Sequence, residues 1–193
     1  MKTNCETEDM IQTERLFMRR FALDDLEALH SWCVKPNVGS HAGWKPHETL
    51  ADSERVLRDF MEGDEVWAIG EKASGRLIGS CGLHRDHKRM NDRVRMLGYV
   101  LDDDFWGKGY MTECAKALTD YGFRVMQLDL ISEYHFAEND RSRRVIEKCG
   151  FQREGLLRQA RRLYDGRVED DVLYSLTREE YLERQKEIQP CIS

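Results

Sequence analysis

At 193 residues, with 40% hydrophobic and 34% charged residues and a formal net charge of −6, the chain has the make-up of one ordinary globular domain, not of a disordered tail. No apolar run reaches the roughly 18–20 residues of a membrane helix, and Met1–Glu6 lacks the apolar stretch of a signal peptide. The acidic balance argues against a nucleic-acid binder, so a cytoplasmic protein without membrane or nucleic-acid partners is expected.

Thr13 to Arg20 reads as a first strand, with Leu16 and Met18 alternating against polar neighbours. Asp24 and Asp25 open a helix whose apolar side is Leu23, Leu26, Leu29 and Cys33. Pro36, Asn37, Gly39, Gly43 and Pro46 predict an irregular connection, followed by a second helix carrying Leu50, Leu57, Phe60 and Met61. Val66 to Gly70, Arg76 to Leu83 and Val94 to Leu101 are strand-like. A long helix is expected from about Lys108 to Met126, its core face being Met111, Ala115, Leu118, Gly122 and Val125. Leu128 to His135 is another strand. Asn139 to Cys149 is a short helix, capped at its start by Asn139 or Asp140 and closed by Gly150. Glu154 to Leu163 and Val168 to Leu176 flank the hairpin signal Asp165-Gly166, and Thr177 to Lys186 forms a last helix. The order β-α-α-β-β-β-α-β-α-β-β predicts an α/β or α+β sheet covered by helices, as one domain over 11–186 with tails 1–10 and 187–193.

Six scattered cysteines (Cys5, Cys33, Cys81, Cys114, Cys149, Cys191) form no CxxC pair and read as reduced thiols. His84 and His87 have no cysteine in register, so no metal site is expected.

The most informative stretch is Gly98-Tyr99-Val100-Leu101-Asp102-Asp103-Asp104-Phe105-Trp106-Gly107-Lys108-Gly109-Tyr110-Met111-Thr112. A strand enters a short glycine-bearing loop that runs directly into an amphipathic helix. Glycines admit close backbone approach and positive φ, and a helix start offers unpaired N–H groups that hold a pyrophosphate. Neither GxGxxG nor GxxxxGK[ST] is present. The second stretch is Asn139-Asp140-Arg141-Ser142-Arg143-Arg144-Val145-Ile146-Glu147-Lys148-Cys149-Gly150-Phe151, in which Asn139 and Ser142 share a first helical turn.

These two stretches resemble the pyrophosphate loop and the N-x-x-S-x-x-(apolar)-x-x-K-x-G-F signature of the GNAT acetyltransferases. The form Trp-Gly-Lys-Gly-Tyr is similar to the ribosomal-protein N-terminal acetyltransferase branch. Thr13-Glu14-Arg15-Leu16, Leu97-Gly98-Tyr99 and Asp171-Val172-Leu173-Tyr174-Ser175-Leu176 extend the resemblance over roughly residues 11–182. Asp104 departs from it, standing where the superfamily usually has Gln or Arg. The resemblance implies a mixed, mostly antiparallel sheet of about seven strands and direct transfer of an acetyl group from acetyl-CoA to an amine.

It also implies site residues. Backbone groups of Val100 and Leu101 would bind the pantetheine arm, with Trp106, Gly107, Lys108, Gly109, Tyr110, Met111 and Thr112 at the pyrophosphate and Asn139 beside the pantetheine. Ser142 takes the place of a proposed acid for the leaving thiolate. Tyr134 and Tyr164 are competing hydroxyl donors. Two acidic positions used by relatives as bases are filled here by Met96 and Arg161, which leaves His84 and Glu133 as candidate bases. Trp44 and His47 lie where the acceptor site is usually walled, and self-association through the last strands is a further implication.

An α-amine has a pKa of about 7.7–8.0 and a lysine about 10.4, so the lysine needs roughly 3.5 kcal/mol more help to lose its proton. A chain without an obvious carboxylate base therefore suits a protein or peptide N-terminal α-amine. The alternatives are a small-molecule amine (polyamine, antibiotic or metabolite) and a non-catalytic acyl-CoA-binding module.

Overall fold

The computed structural model describes residues 10–188; Cys5, Cys191 and most of the two expected tails lie outside them. The strands are β1 (Ile11–Gln12), β2 (Leu16–Arg20), β3 (Val66–Glu71), β4 (Leu77–Arg85), β5 (Val94–Leu101), β6 (Leu130–Phe136), β7 (Gln152–Arg162) and β8 (Val168–Thr177). The helices are α1 (Leu26–Cys33), α2 (Pro36–Ala42), α3 (Leu50–Gly63), α4 (Tyr110–Arg124), α5 (Asp140–Cys149) and α6 (Arg178–Ile188). One eight-stranded sheet runs in the order β1-β2-β3-β4-β5-β6-β8-β7, antiparallel except for β5 against β6.

Strand alternation divides the apolar residues between two layers. One face buries Leu16, Met18, Cys81, Leu83, Leu97 and Ile131 under α4, α5 and α6, while the other packs Val66, Ala68 and Val100 against α1–α3. Cys33, Cys81 and Cys114 are buried free thiols, and burial pushes Cys33 and Cys114 up to about 12. None of the helices among the described residues is long and apolar enough to cross a membrane.

Four local expectations change. The expected first strand, Thr13 to Arg20, starts only at Leu16 and is preceded by the separate strand Ile11–Gln12, because Thr13 turns the chain by exchanging hydrogen bonds with Leu16. The connection after Cys33 contains α2, with Pro36 in its first turn and Gly43 closing it at φ +84°. In α3 the buried positions are Ser53 and Leu57, whereas Leu50 and Met61 are exposed. Leu23 and Val125 are also exposed, since Leu23 precedes α1 in a short 3₁₀ turn and Val125 follows the end of α4.

The feature that makes room for a ligand is the single parallel junction. β5 and β6 pair only through Val94–Met96 and Leu130–Ser132. Beyond that point β5 stays with β4 as far as Leu101, and β6 stays with β8 as far as Phe136. The two strands splay apart.

Candidate active site

A cavity of about 620 Å³ fills this splay and opens to both layers. Asp102 donates its amide to Ile78 on β4, so strand alternation turns the backbone of Leu97, Tyr99 and Leu101 away from β4, towards the opening. Val100 faces its own backbone to β4, opposite Ser80. Of the two residues expected to hold the pantetheine arm, Leu101 therefore offers its amide to the cavity. Its carbonyl is taken by the indole Nε1 of Trp106 at 2.8 Å, which pins the loop to the strand end.

The glycine loop is built by constraint from three sides. Gly107 and Gly109 both have positive φ, +77° and +81°, in a region that costs other residues roughly 1–2 kcal/mol. The first α4 hydrogen bond runs from the Glu113 amide to the Gly109 carbonyl, leaving the amides of Tyr110, Met111 and Thr112 without a helical partner. All three residues line the cavity, whereas Lys108 does not. Glu113 accepts from the Thr13 hydroxyl, the Arg15 amide and the Arg15 guanidinium, and Arg15 also donates to the Lys108 carbonyl. Thr13-Glu14-Arg15 thus serves as a brace for the loop.

Asp104 is explained by the same logic. Lys35 Nζ, one residue before α2, donates to Asp102, Asp103 and Asp104 at 2.5, 2.9 and 2.8 Å. The three carboxylates therefore hold a lysine ammonium, tying α2 to the approach of the glycine loop.

On the face towards α5, Asn139 accepts from the Ser142 amide at 3.1 Å and donates to the His41 carbonyl at 3.3 Å. It caps α5 and ties it to the end of α2. Ser142 Oγ lies 2.9 Å from the Tyr99 hydroxyl, a partner 43 residues away that sequence reasoning did not single out. Strand parity was the available signal, because Tyr99 and Glu133 share the face that α5 covers. Glu133 is 3% exposed, and its Oε2 has no hydrogen-bond partner among the described residues. Burial pushes its carboxyl well above the carboxylate range, with the neighbouring Tyr99 hydroxyl pulling the other way. A carboxyl held neutral is a poor base.

On the opposite face, the His84 imidazole lies across two glycines. A Cβ on Gly82 would meet His84 Nε2 at 2.9 Å, and one on Gly98 would meet its Cδ2 at 3.0 Å. His84 Nδ1 stands 3.5 Å from Glu65 Oε2, Nε2 has no hydrogen-bond partner among the described residues, and the residue lines the cavity. Burial pushes the imidazole below its ordinary 6.5, against the opposing pull of Glu65, so at neutral pH it has an open lone pair.

Of four other expected residues, Tyr134 and Trp44 line the cavity and Tyr164 and His47 do not. The Tyr134 hydroxyl is already engaged, donating to buried Asp86 and accepting from Arg89. Tyr164 is exposed near the β7–β8 turn. Trp44 lines the cavity, whereas His47 stands behind it, with ring centroids 5.3 Å apart and Nδ1 2.8 Å from the Ser53 hydroxyl.

The model of the acetyltransferase (GNAT) domain family matches residues 15–152. The uncharacterized N-acetyltransferase p20 of Bacillus licheniformis is 31% identical, covering 90% of this chain and 98% of its own. YdaF of Bacillus subtilis, named provisionally as a ribosomal N-acetyltransferase, is 33% identical over 82% of this chain and 83% of its own, which supports kinship with the ribosomal-protein branch. Among solved structures, a GNAT-family acetyltransferase from Bacillus anthracis superposes with a TM-score of 0.80 at 27% identity, over 89% of this chain and 99% of that one. Spermidine N-acetyltransferase of Vibrio cholerae, in complex with CoA and spermine, shares the fold at 22% identity and a TM-score of 0.74, over 87% of this chain and 98% of that one. A splayed sheet, a braced glycine loop at a helix start and these relatives lead to one conclusion: the chain belongs to the GNAT family and is an acetyl-CoA-dependent N-acetyltransferase.

Proposed function

We propose that the acceptor is an α-amine or another amine of similarly low pKa, and that His84 is its base. The observation that carries this reading is the His84–Glu65 pair lying over Gly82 and Gly98, on the sheet face opposite Tyr99 and Ser142. An imidazole with a pKa below 6.5 removes a proton as a neutral amine becomes acylated, but it is too weak to deprotonate a lysine ammonium near 10.4. Family membership sets aside a purely non-catalytic binding module.

Acetyl-CoA supplies an activated acyl carbon and a thiolate leaving group. The fit is good: unpaired amides of Tyr110, Met111 and Thr112 face the phosphate position, and open space surrounds Gly107. The Leu101 amide is turned to stabilise the developing oxyanion. His84 takes the amine proton through Nε2, while Glu65 steadies the resulting imidazolium through Nδ1. Ser142, backed by the Tyr99 hydroxyl, gives a proton to the departing sulfur. A new C–N bond replaces the C–S bond, and one proton passes from amine to enzyme as another passes from enzyme to thiol.

The same proposal includes a cytoplasmic location and a homodimer through β7. The first rests on the reduced thiols. The second rests on the sheet edge formed by β7, where Leu156 and Leu157 are exposed.

Release of CoA thiol is measured with matched peptides offering either a free N-terminus or only a lysine side chain. The expected result is at least about a tenfold higher kcat/KM for the N-terminal amine. Faster turnover of the lysine peptide overturns the reading.

A further inference from the structure

The acceptor face of the cavity carries one unspent cation. Arg161 lines it from β7, and its Nε donates to Asp171 Oδ2 at 3.1 Å. Its two terminal nitrogens have no protein partner among the described residues. Asp171 is fully buried and already holds Lys88 Nζ at 2.9 Å on the same oxygen. The carboxylate thus has a cation without Arg161, and Asp171 itself does not line the cavity.

The backbone is shaped to put Arg161 there. Leu157 pairs with Asp171, but Arg161 pairs with Glu169, so three residues of β7 stand opposite Asp170 alone. Gln159 within this bulge has φ +52°, unusual for a residue with a side chain, and its amide donates to Asp170 at 2.7 Å. Bulges of this kind re-aim the side chains that follow them. The Arg161 guanidinium comes within 5.6 Å of the centre of the Phe136 ring. Phe136 and Val100 each lie four residues past the last β5–β6 pair, Met96 with Ser132, so both stand about 13 Å beyond the start of the splay. Arg161 therefore stands across the splay from the strand segment that borders the acyl position.

What the cavity lacks on this face matters as much. Glu133 is the only carboxylate lining it among the described residues, and it is buried on the α5 side. A polyamine would enter with several positive charges and meet Arg161 and no counter-charge.

We infer that Arg161 is a specificity-determining residue that binds a carboxylate on the acceptor, so that the substrate class is an amine bearing an anionic group. This inference rests on the α-amine reading above and narrows it. A guanidinium with two free terminal nitrogens matches a carboxylate in bidentate geometry. The carboxylate comes either from an amino acid itself or from an acidic residue next to a peptide N-terminus.

The test is steady-state acetylation of alanine against alaninamide and of Ala-Asp-amide against Ala-Asn-amide, with spermidine as the cationic probe, by the wild type, Arg161→Gln, Arg161→Lys and Arg161→Glu. Comparing enzymes on the same acceptor cancels differences in amine pKa. In the wild type, at least one carboxylate acceptor is expected to show a kcat/KM raised about tenfold or more relative to the same ratio in Arg161→Gln, carried by KM, with kcat within about threefold. The pair that shows it identifies the source of the carboxylate. Arg161→Lys keeps part of the preference, and Arg161→Glu shifts it towards spermidine. Lys88 is unchanged in every variant, and cooperative melting with unchanged acetyl-CoA affinity checks the fold. An equal loss for charged and neutral acceptors, turnover of neither carboxylate acceptor, or efficient wild-type turnover of spermidine overturns the inference. Faster lysine than N-terminal acetylation instead removes the α-amine reading and leaves the carboxylate comparison standing.

Discussion

His84 and Glu133 are both titratable groups at the cavity, and their surroundings sort them. His84 keeps one nitrogen near a carboxylate and the other open, while Glu133 is sealed in with an unpartnered oxygen. The pH dependence of kcat/KM follows with a definite sign. The imidazole is lowered below 6.5, so it is neutral above that value and lost as a base as pH falls through its folded pKa. For a peptide α-amine acceptor, log kcat/KM rises with slope two below the imidazole pKa. The slope is one between that pKa and the amine value near 7.7–8.0, and zero above. His84→Gln is expected to remove the slope-two region and lower kcat on the order of 10²-fold. Glu133→Gln, which copies the neutral carboxyl, is expected to stay within about threefold of wild type. A 10²-fold loss in Glu133→Gln with a normal profile in His84→Gln would reverse the two roles.

At the scale of elements, the glycine loop works because other segments hold it still. Arg15 and Thr13 grip Glu113 in the first turn of α4, Arg15 grips the Lys108 carbonyl, and Trp106 grips Leu101. The exposed amides are therefore set before any ligand arrives, and little ordering entropy opposes binding. Gly107→Val introduces a β-branched side chain at φ +77°, with nothing within 4 Å of the new Cβ. The expected outcome is a loss of about 1–2 kcal/mol in stability, a still cooperative melt, and acetyl-CoA affinity weakened at least about tenfold in titration calorimetry. Unchanged affinity would show that the phosphates bind elsewhere.

For the whole molecule, the two-layer packing accounts for both thiol chemistry and the position of the site. Cys33, Cys81 and Cys114 sit under opposite faces of the sheet, and burial raises all three above the ordinary thiol pKa. They are expected to resist a thiol-specific alkylating agent in the native protein and to react once it is unfolded, as mapped by mass spectrometry. Rapid native labelling of any of the three would show that the layer above it opens.

The sequence by itself determined most of the elements and the glycine loop that leads into α4. Local chemistry was enough for this: the turn signal Asp165-Gly166, the Asn139 cap with Gly150 beyond Cys149, and two glycines running into an amphipathic helix all act within a few residues of chain. Helix α2 escaped notice because seven residues with Gly39 inside and Gly43 directly after leave too few turns for a periodic signal. The tertiary structure alone decided the partners: Tyr99 with Ser142, Lys35 with three aspartates, Glu65 with His84, and Arg161 with Asp171. Tyr99 with Ser142 and Lys35 with the aspartates join elements far apart in sequence, and the other two link consecutive strands or their ends. Which face of the sheet a residue occupies depends on strand register and on one parallel junction that opens after Met96 and Ser132. Register is a property of the assembled sheet, and through it one face of the cavity acquired an imidazole and a guanidinium with, among the described residues, no carboxylate lining it.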